Sequence, residues 1–340
     1  MMDEPANLSV RLQSPAFVRS VVIFIAIGAF VYLGAILWTG WEQAISTIRK
    51  IGVLILVAGG FVASTAYVWR FARWHYSLSR FGYRVPMGRN FGVYLAGLAL
   101  TASPGKLGET LRSLLLMPYG VKAGHSLGAF VADRLSDVLG VCLLGIVAGM
   151  VAGKVGWFLI AVFLGLLIVS LFSGYAVVHH RSGRFWSWLA LKLRWLPIRG
   201  GQAVVASWAS LWSPGRSISF ALVAVAAYGT QACVFGWFCL LAGVDIPLSD
   251  AIVIFVNATL FGAASMVPSG LGTMEAALVF QLVAQGADDA VAVSLAIATR
   301  LVTLWMGILL GVISLMAVSS RLTSAEVPSL SESVATQEDA

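Results

Sequence analysis

Residues 155–178 contain no charged side chain, and a run of that length restricts the fold before any other feature is considered. A bilayer hydrocarbon core about 30 Å thick is crossed by roughly 20 apolar residues in a helix. Comparable apolar runs lie at 17–39, 51–69, 126–152, 218–242 and 290–318, so about six full transmembrane helices are expected. Of the 340 residues, 59% are hydrophobic and 11% charged, against roughly 25% charged in ordinary soluble domains. A soluble globule is excluded. The fold class is an all-α polytopic membrane protein.

The run at 17–39 is too long for the apolar core of a signal peptide. It leads to Trp38 and Trp41 rather than to a small-residue cleavage pattern, which marks a span with an interfacial end. Two further apolar segments, 90–118 and 250–286, are interrupted, the first at Ser103-Pro104-Gly105 and the second at Pro268-Ser269-Gly270. Proline stops a helix and glycine permits the turn that follows. The halves are short for a crossing and suit two re-entrant broken-helix hairpins; the second pair also reads as two short crossings, with the same topology.

Lysine and arginine accumulate on the cytoplasmic side of membrane spans. With a cytoplasmic N-terminus and each hairpin returning to its own face, the cytoplasmic segments collect Arg11, Arg19, the basic residues of 70–89, Lys122, those of 181–216, and Arg321. Arg49, Lys50 and Lys154 fall outside. Both termini are then cytoplasmic, in a cell (inner) membrane. The net charge of +7 reflects orientation, and nucleic acid is not an expected partner. Residues 1–319 read as a single integral membrane domain. Within it, 181–212 alternates basic residues with Trp186, Trp188, Trp195, Trp208 and Trp212. That segment reads either as an interfacial amphipathic stretch held to anionic lipid or as a cytoplasmic loop with aromatic anchors. The polar end, 320–340, reads as a disordered cytoplasmic tail.

The two interruptions resemble each other. Pro104-Gly105-Lys106-Leu107-Gly108-Glu109 and Pro268-Ser269-Gly270-Leu271-Gly272-Thr273-Met274-Glu275 share a proline, glycines, a Leu-Gly pair and a glutamate. Arg134 follows Glu109 by 25 residues, and Arg300 follows Glu275 by 25. The offset of 166 extends to Leu143-Leu144-Gly145 and Leu309-Leu310-Gly311. Segments 90–145 and 255–311 therefore read as an internal repeat. Three crossings separate the hairpins, which makes the repeat inverted, an arrangement transporters use for alternating access.

The ionisable residues expected at membrane depth are Lys106, Glu109, Arg112, Asp133, Arg134, Asp137, Glu275 and Arg300. Facing lipid they would be costly, so they should pair or line a watery cavity. Arg134 and Asp137 share a helix face, with Asp133 one turn away. Arg300 has no acid within four residues, which leaves Glu109 or Glu275 as its partner. The hairpin tips, at Pro104, Gly105 and Gly108 and at Pro268, Gly270 and Gly272, turn helix N-termini inward. There, backbone N–H groups favour an anion and glycine lets a ligand approach, while Lys106 and Arg112 add positive charge. A phosphate suits such a site. Two plainer roles remain open: structural ion pairing for the whole set, and helix capping for Glu109 and Glu275.

His75, His125, His179 and His180 lack metal-ligand spacing, and Cys142, Cys233 and Cys239 form no CxxC pair. No Ser-His-Asp grouping, Walker loop or HExxH motif occurs. No metal, cofactor or enzymatic activity is expected.

In the combination of Ser103 to Arg112, Ala132-Asp133-Arg134-Leu135-Ser136-Asp137, Pro268 to Glu275 and Thr299-Arg300-Leu301, the chain resembles a flippase-like membrane family. That family includes the transmembrane region of lysylphosphatidylglycerol synthases, archaeal glycolipid-pathway proteins and hopanoid-associated members. The resemblance covers about residues 15–318. It implies movement of a lipid or lipid-linked sugar between leaflets, with Glu109, Arg112, Arg134, Asp137, Glu275 and Arg300 in a central cavity. The soluble aminoacyl-transferase domain of the synthases is replaced here by the short tail after Ser320, so lysyl transfer by this chain alone is not implied. The expected function is thus a flippase-like transporter of an anionic phospholipid or lipid-linked sugar. Its substrate site comprises Lys106, Glu109, Arg112, Arg134, Asp137, Glu275 and Arg300, and its partners are membrane lipids and a lipid-modifying enzyme. Two alternatives stand beside it: an accessory subunit or membrane-embedded transferase in lipid modification, and an ion-coupled carrier of a small solute.

Overall fold

The computed structural model describes residues 51–101, 107–178 and 201–318 and the single positions 42, 45 and 49, with backbone alone at 107–110, 171–178, 201–203, 205 and 214. The expected span at 17–39, the tip residues Pro104, Gly105 and Lys106, the stretch 181–200 and the tail lie outside the described residues. The helices are α1 Val53–Arg80, α2 Met87–Ala96, α3 Leu107–Leu116, α4 Ala123–Val151, α5 Trp157–Val178, α6 Gly201–Leu211, α7 Pro214–Ala242, α8 Leu248–Ala264, α9 Thr273–Ala284 and α10 Asp289–Val318. No strand occurs among the described residues. Four of these, α1, α4, α7 and α10, are long and apolar enough to cross a membrane, and α5 and α8 supply shorter apolar helices.

Local chemistry sets the boundaries. Pro214 stands in the first turn of α7, where its missing N–H is no loss, and Gly243 closes the helix in the left-handed region at φ 84°. The second half of α1 contains no such stop signal, because neither proline nor glycine occurs from residue 61 to 80. The expected span at 51–69 therefore continues as one helix to Arg80. This corrects the placement of Arg70 and Arg73, which belong to the bundle rather than to a cytoplasmic segment; Arg73 is only 3% exposed.

Small residues let the long helices approach closely. A Cβ on Gly140 of α4 would stand 2.7 Å from the Ala221 carbonyl oxygen of α7, and one on Gly59 of α1 would meet the Phe238 ring at 2.7 Å. Helices α1 and α7 run antiparallel, since Gly59 lies by Phe238 while Tyr76 lies edge-on to Phe220. Helix α6 packs its Ser207–Trp208 backbone on Gly128 of α4. Trp208 and Trp212, expected as interfacial anchors, are instead buried, because this helix lies on α4 and its indoles fill the core beside Leu211 and Ala129.

Each interruption separates two helices packed against each other. Helix α2 runs through a tighter turn, Gly97–Leu100, to Thr101, and α3 follows. Helices α8 and α9 lie antiparallel: Asn257 donates to Gln281 at 3.2 Å, and Gly262 faces Gly270 and Met274. The turn between them holds Met266 at φ 58° and Ser269 at φ 54°. These are left-handed conformations that cost a non-glycine residue about 1–2 kcal/mol each. Helices α3 and α9 begin 166 residues apart, at Leu107 and Thr273, and α4 and α10 do the same, at Ala123 and Asp289. At one end of the bundle Lys154, after α4, pairs with Asp250 at the start of α8 at 2.8 Å.

Candidate functional site

The second interruption meets the helix end that leads into the first. The Ser269 hydroxyl, in the second, donates to the carbonyl of Thr101, at the edge of the first, at 3.0 Å. Beside this contact lies a cavity of about 580 Å³. Three long helices each contribute one cation to its wall: Arg70 from α1, Arg134 from α4 and Arg300 from α10. Hydroxyl and amide groups of Tyr67, Thr101, Tyr228, Gln231 and Thr259 join them, and Leu98, Phe130, Phe255, Met274, Leu304 and Ile308 supply the apolar part of the lining. Met266 to Gly270 complete the wall.

Behind the cavity, Arg73 organises the acids of α4. Its Nε donates to Asp133 at 2.5 Å, one Nη to Asp137 at 2.6 Å and the other to the Phe220 carbonyl of α7 at 3.2 Å. Arg134 takes the outer oxygens of the same two carboxylates, Asp133 at 2.9 Å and Asp137 at 3.2 Å. The expected Arg134–Asp137 pair is present, within a larger cluster that also ties α1 to α4 and α7. Arg73 and the two aspartates carry the structural part. Arg134, with a side chain 39% exposed, is the member that faces the cavity.

Arg70 sits differently. Its guanidinium lies 4.4 Å over the Tyr228 ring, a cation–π contact that positions the charge without neutralising it. The buried Nε atoms of Arg70 and Arg134 have no hydrogen-bond partner among the described residues. Arg70, Arg73 and Arg134 face two aspartates, and Arg300 faces Glu275. The described side chains around the cavity thus hold one more cation than anions, and guanidinium N–H groups are donors from which a phosphoryl or carboxylate oxygen accepts.

Arg300 joins the second interruption to α10. Its Nε donates to Glu275 at 2.9 Å, and an Nη donates to the Ser269 carbonyl at 2.7 Å. Of the two partners open from the sequence, Glu275 is therefore the one observed. Directly after Arg300 the helix widens into a π turn over Leu301–Trp305, where the Tyr67 hydroxyl donates to the Thr303 carbonyl. Such turns leave backbone groups without their usual helical partner, and Tyr67 supplies one here.

The remaining expected residues divide. Pro268 and Gly270 line the cavity, and Gly272 holds φ 79° at the start of α9. Gly108 and Glu109 lie in the first turn of α3, where only backbone is described. Asp137 stands behind Arg134 rather than in the wall. Arg112 is not in the wall either: it is 4% exposed, lies 4.2 Å over the Tyr94 ring and 5.5 Å from that of Trp74, and donates to the Tyr94 carbonyl at 3.2 Å. Gly97 makes room for it, since a Cβ there would meet its Cγ at 2.7 Å. Arg70, Arg73, Tyr67 and Tyr228 were not anticipated. The signal that could have found the three on α1 was helical spacing, because positions 67, 70, 73/74 and 77 fall on one face of an unbroken helix; nothing of that kind marks Tyr228 on α7.

Residues 22–311 match the family described as the lysylphosphatidylglycerol synthase TM region. A UPF0104 membrane protein of Methanothermobacter thermautotrophicus is 24% identical over 310 residues, which cover 85% of this chain and 91% of that relative. With its apolar helices and a match spanning most of its length, the chain is a multi-pass membrane protein that belongs to the lysylphosphatidylglycerol synthase TM region family.

Proposed function

We propose that this protein is a flippase-like transporter that passes the headgroup of an anionic phospholipid or lipid-linked sugar between leaflets through the cavity between the two helix interruptions. The observation that carries it is the wall itself: Arg70, Arg134 and Arg300, brought from three helices and set among apolar side chains. A volume of about 580 Å³ falls within the roughly 300–1,000 Å³ range of pockets for drug-sized ligands, suited to a headgroup with its tails left in lipid. Met266, in the wall and 87% exposed, marks where the cavity reaches the bundle surface.

The transporter reading includes two re-entrant hairpins. Helices α3 and α9 have 10 and 12 residues, a rise of about 15–18 Å against the roughly 30 Å of a hydrocarbon core. The recurring helix starts and the antiparallel α1 and α7 favour an inverted repeat, in which one half rocks against the other. With the N- and C-termini cytoplasmic in the cell membrane, Lys154 and Asp250 lie outside. The protein performs no covalent step in this scheme; its partners are membrane lipids and an enzyme that modifies them.

Reconstitution in liposomes with labelled phosphatidylglycerol or a labelled glycolipid, followed by leaflet exposure, tests the proposal. Arg70→Gln and the double variant Glu109→Gln/Glu275→Gln should slow exchange. Equal rates in wild-type, variant and protein-free liposomes across the lipid panel would overturn it.

A further inference from the structure

The turn between α8 and α9 contains both of the non-glycine residues that adopt positive φ among the described residues, Met266 and Ser269. L side chains resist that conformation, so surrounding contacts must hold it. Local bonds close the turn, from the Gly270 N–H to the Val267 carbonyl at 2.9 Å and from the Leu271 N–H to the Pro268 carbonyl at 3.2 Å, and three contacts with other parts of the bundle brace it at Ser269. Arg300 grips the Ser269 carbonyl at 2.7 Å and Glu275 at 2.9 Å, and the Ser269 hydroxyl holds the Thr101 carbonyl at 3.0 Å. Among the described residues the remaining Nη of Arg300 meets the Met274 sulfur, at 3.3 Å, a weak acceptor. The same turn forms one wall of the cavity, and Met266 on it reaches the outer surface.

We infer that residues 265–272 form a strained gate, latched by Arg300, which an anionic phosphoryl group in the cavity releases by taking the Arg300 donors from the Ser269 carbonyl. Once that bond is lost, Ser269 leaves the left-handed region, its hydroxyl leaves Thr101, and the mouth at Met266 widens. Ligand binding and opening are then one event, because the guanidinium that recognises the anion is the one that holds the turn. The inference rests on the anion-binding cavity proposed above.

Hydrogen–deuterium exchange of the full-length protein tests it in dodecyl maltoside micelles alone, with phosphatidylglycerol, and with inorganic phosphate. Native mass spectrometry of the same samples records lipid retention. Phosphatidylglycerol should speed exchange of 263–275 by about threefold or more while leaving 130–145 unchanged. Inorganic phosphate giving the same acceleration assigns the release to the free anion; acceleration by the lipid alone assigns it to the headgroup. Arg300→Gln should exchange fast at 263–275 without any anion. Met266→Gly keeps every latch bond and removes one strained residue, so its response to the lipid should shrink; this milder variant decides the matter should Arg300→Gln fail to fold. Lipid retained in an Arg70- and Arg134-dependent way with unchanged exchange at 263–275 overturns the gate and leaves the cavity standing. Absence of any such retention overturns both.

Discussion

Arg73 offers the sharpest test of how the bundle is held, because its side chain is buried with three bonds to two other helices. Replacing it by methionine keeps most of the apolar stem and leaves Asp133 with Arg134 alone and Asp137 with Arg134 and the more distant Tyr228 hydroxyl at 3.4 Å. Breaking a buried pair costs about 3–5 kcal/mol. Since Arg134 still bridges both carboxylates, the lower end, about 3 kcal/mol, is expected for Arg73→Met. The double variant Arg73→Met/Asp133→Asn removes one charge of each sign and leaves the Arg134–Asp137 pair at 3.2 Å intact. It should recover at least about 1 kcal/mol of the loss, within the range for residues in one network. Unfolding by SDS in mixed dodecyl maltoside micelles, followed by tryptophan fluorescence, measures all three proteins and Asp133→Asn alone. If the two single losses simply add in the double variant, the four charges are not coupled and the cluster does not hold the bundle as one network.

Other consequences are checked with the same preparations. Gly140→Ala pushes a Cβ to within 2.7 Å of the Ala221 carbonyl and 3.0 Å of the Val225 nitrogen; unfolding should show a loss of about 1–3 kcal/mol, whereas Gly165→Ala, with nothing within 4 Å, should be neutral or slightly stabilising. Tyr67→Phe strips the donor from the Thr303 carbonyl and should cost about 1–2 kcal/mol, measured by the same titration. Arg70→Gln should weaken phosphatidylglycerol retention about tenfold in native mass spectrometry, the effect of losing roughly 1.5 kcal/mol of charge-assisted bonding. Asp250→Asn, at a pair with a largely exposed lysine, should shift stability by less than about 1 kcal/mol.

Membrane embedding, helical class, the two interruptions and the family were legible in the sequence because each depends on local composition: apolar run length, Pro-Gly punctuation and a glutamate–arginine pair repeated at one spacing. Legibility ended where a long helix carried charge inside. Arg70 and Arg73 look like ordinary cytoplasmic arginines next to Arg80, Arg84 and Arg89; only the unbroken α1 and the aspartates of α4 make them part of the interior. At the positions 166 residues later stand Gly236, Cys239, Thr299 and Thr303, so the second half carries no counterpart of the Arg73–Asp133–Asp137 cluster. Repeat spacing pointed to the shared Arg134 and Arg300, and could not point to residues the halves do not share.

By itself, the sequence determined that the chain lies in a bilayer and where its apolar runs and their interruptions fall, since hydrocarbon imposes length and polarity on every span separately. Beyond the Arg134–Asp137 pair, which helical spacing shows, the tertiary structure decided which charges cancel. Pairing depends on distances of a few ångströms between residues 25 to 64 positions apart, and no local pattern encodes these. It put Arg112 among aromatic rings, gave Arg300 to Glu275, and left Arg70 over Tyr228 with a donor unspent, beside the cavity where Ser269 touches Thr101.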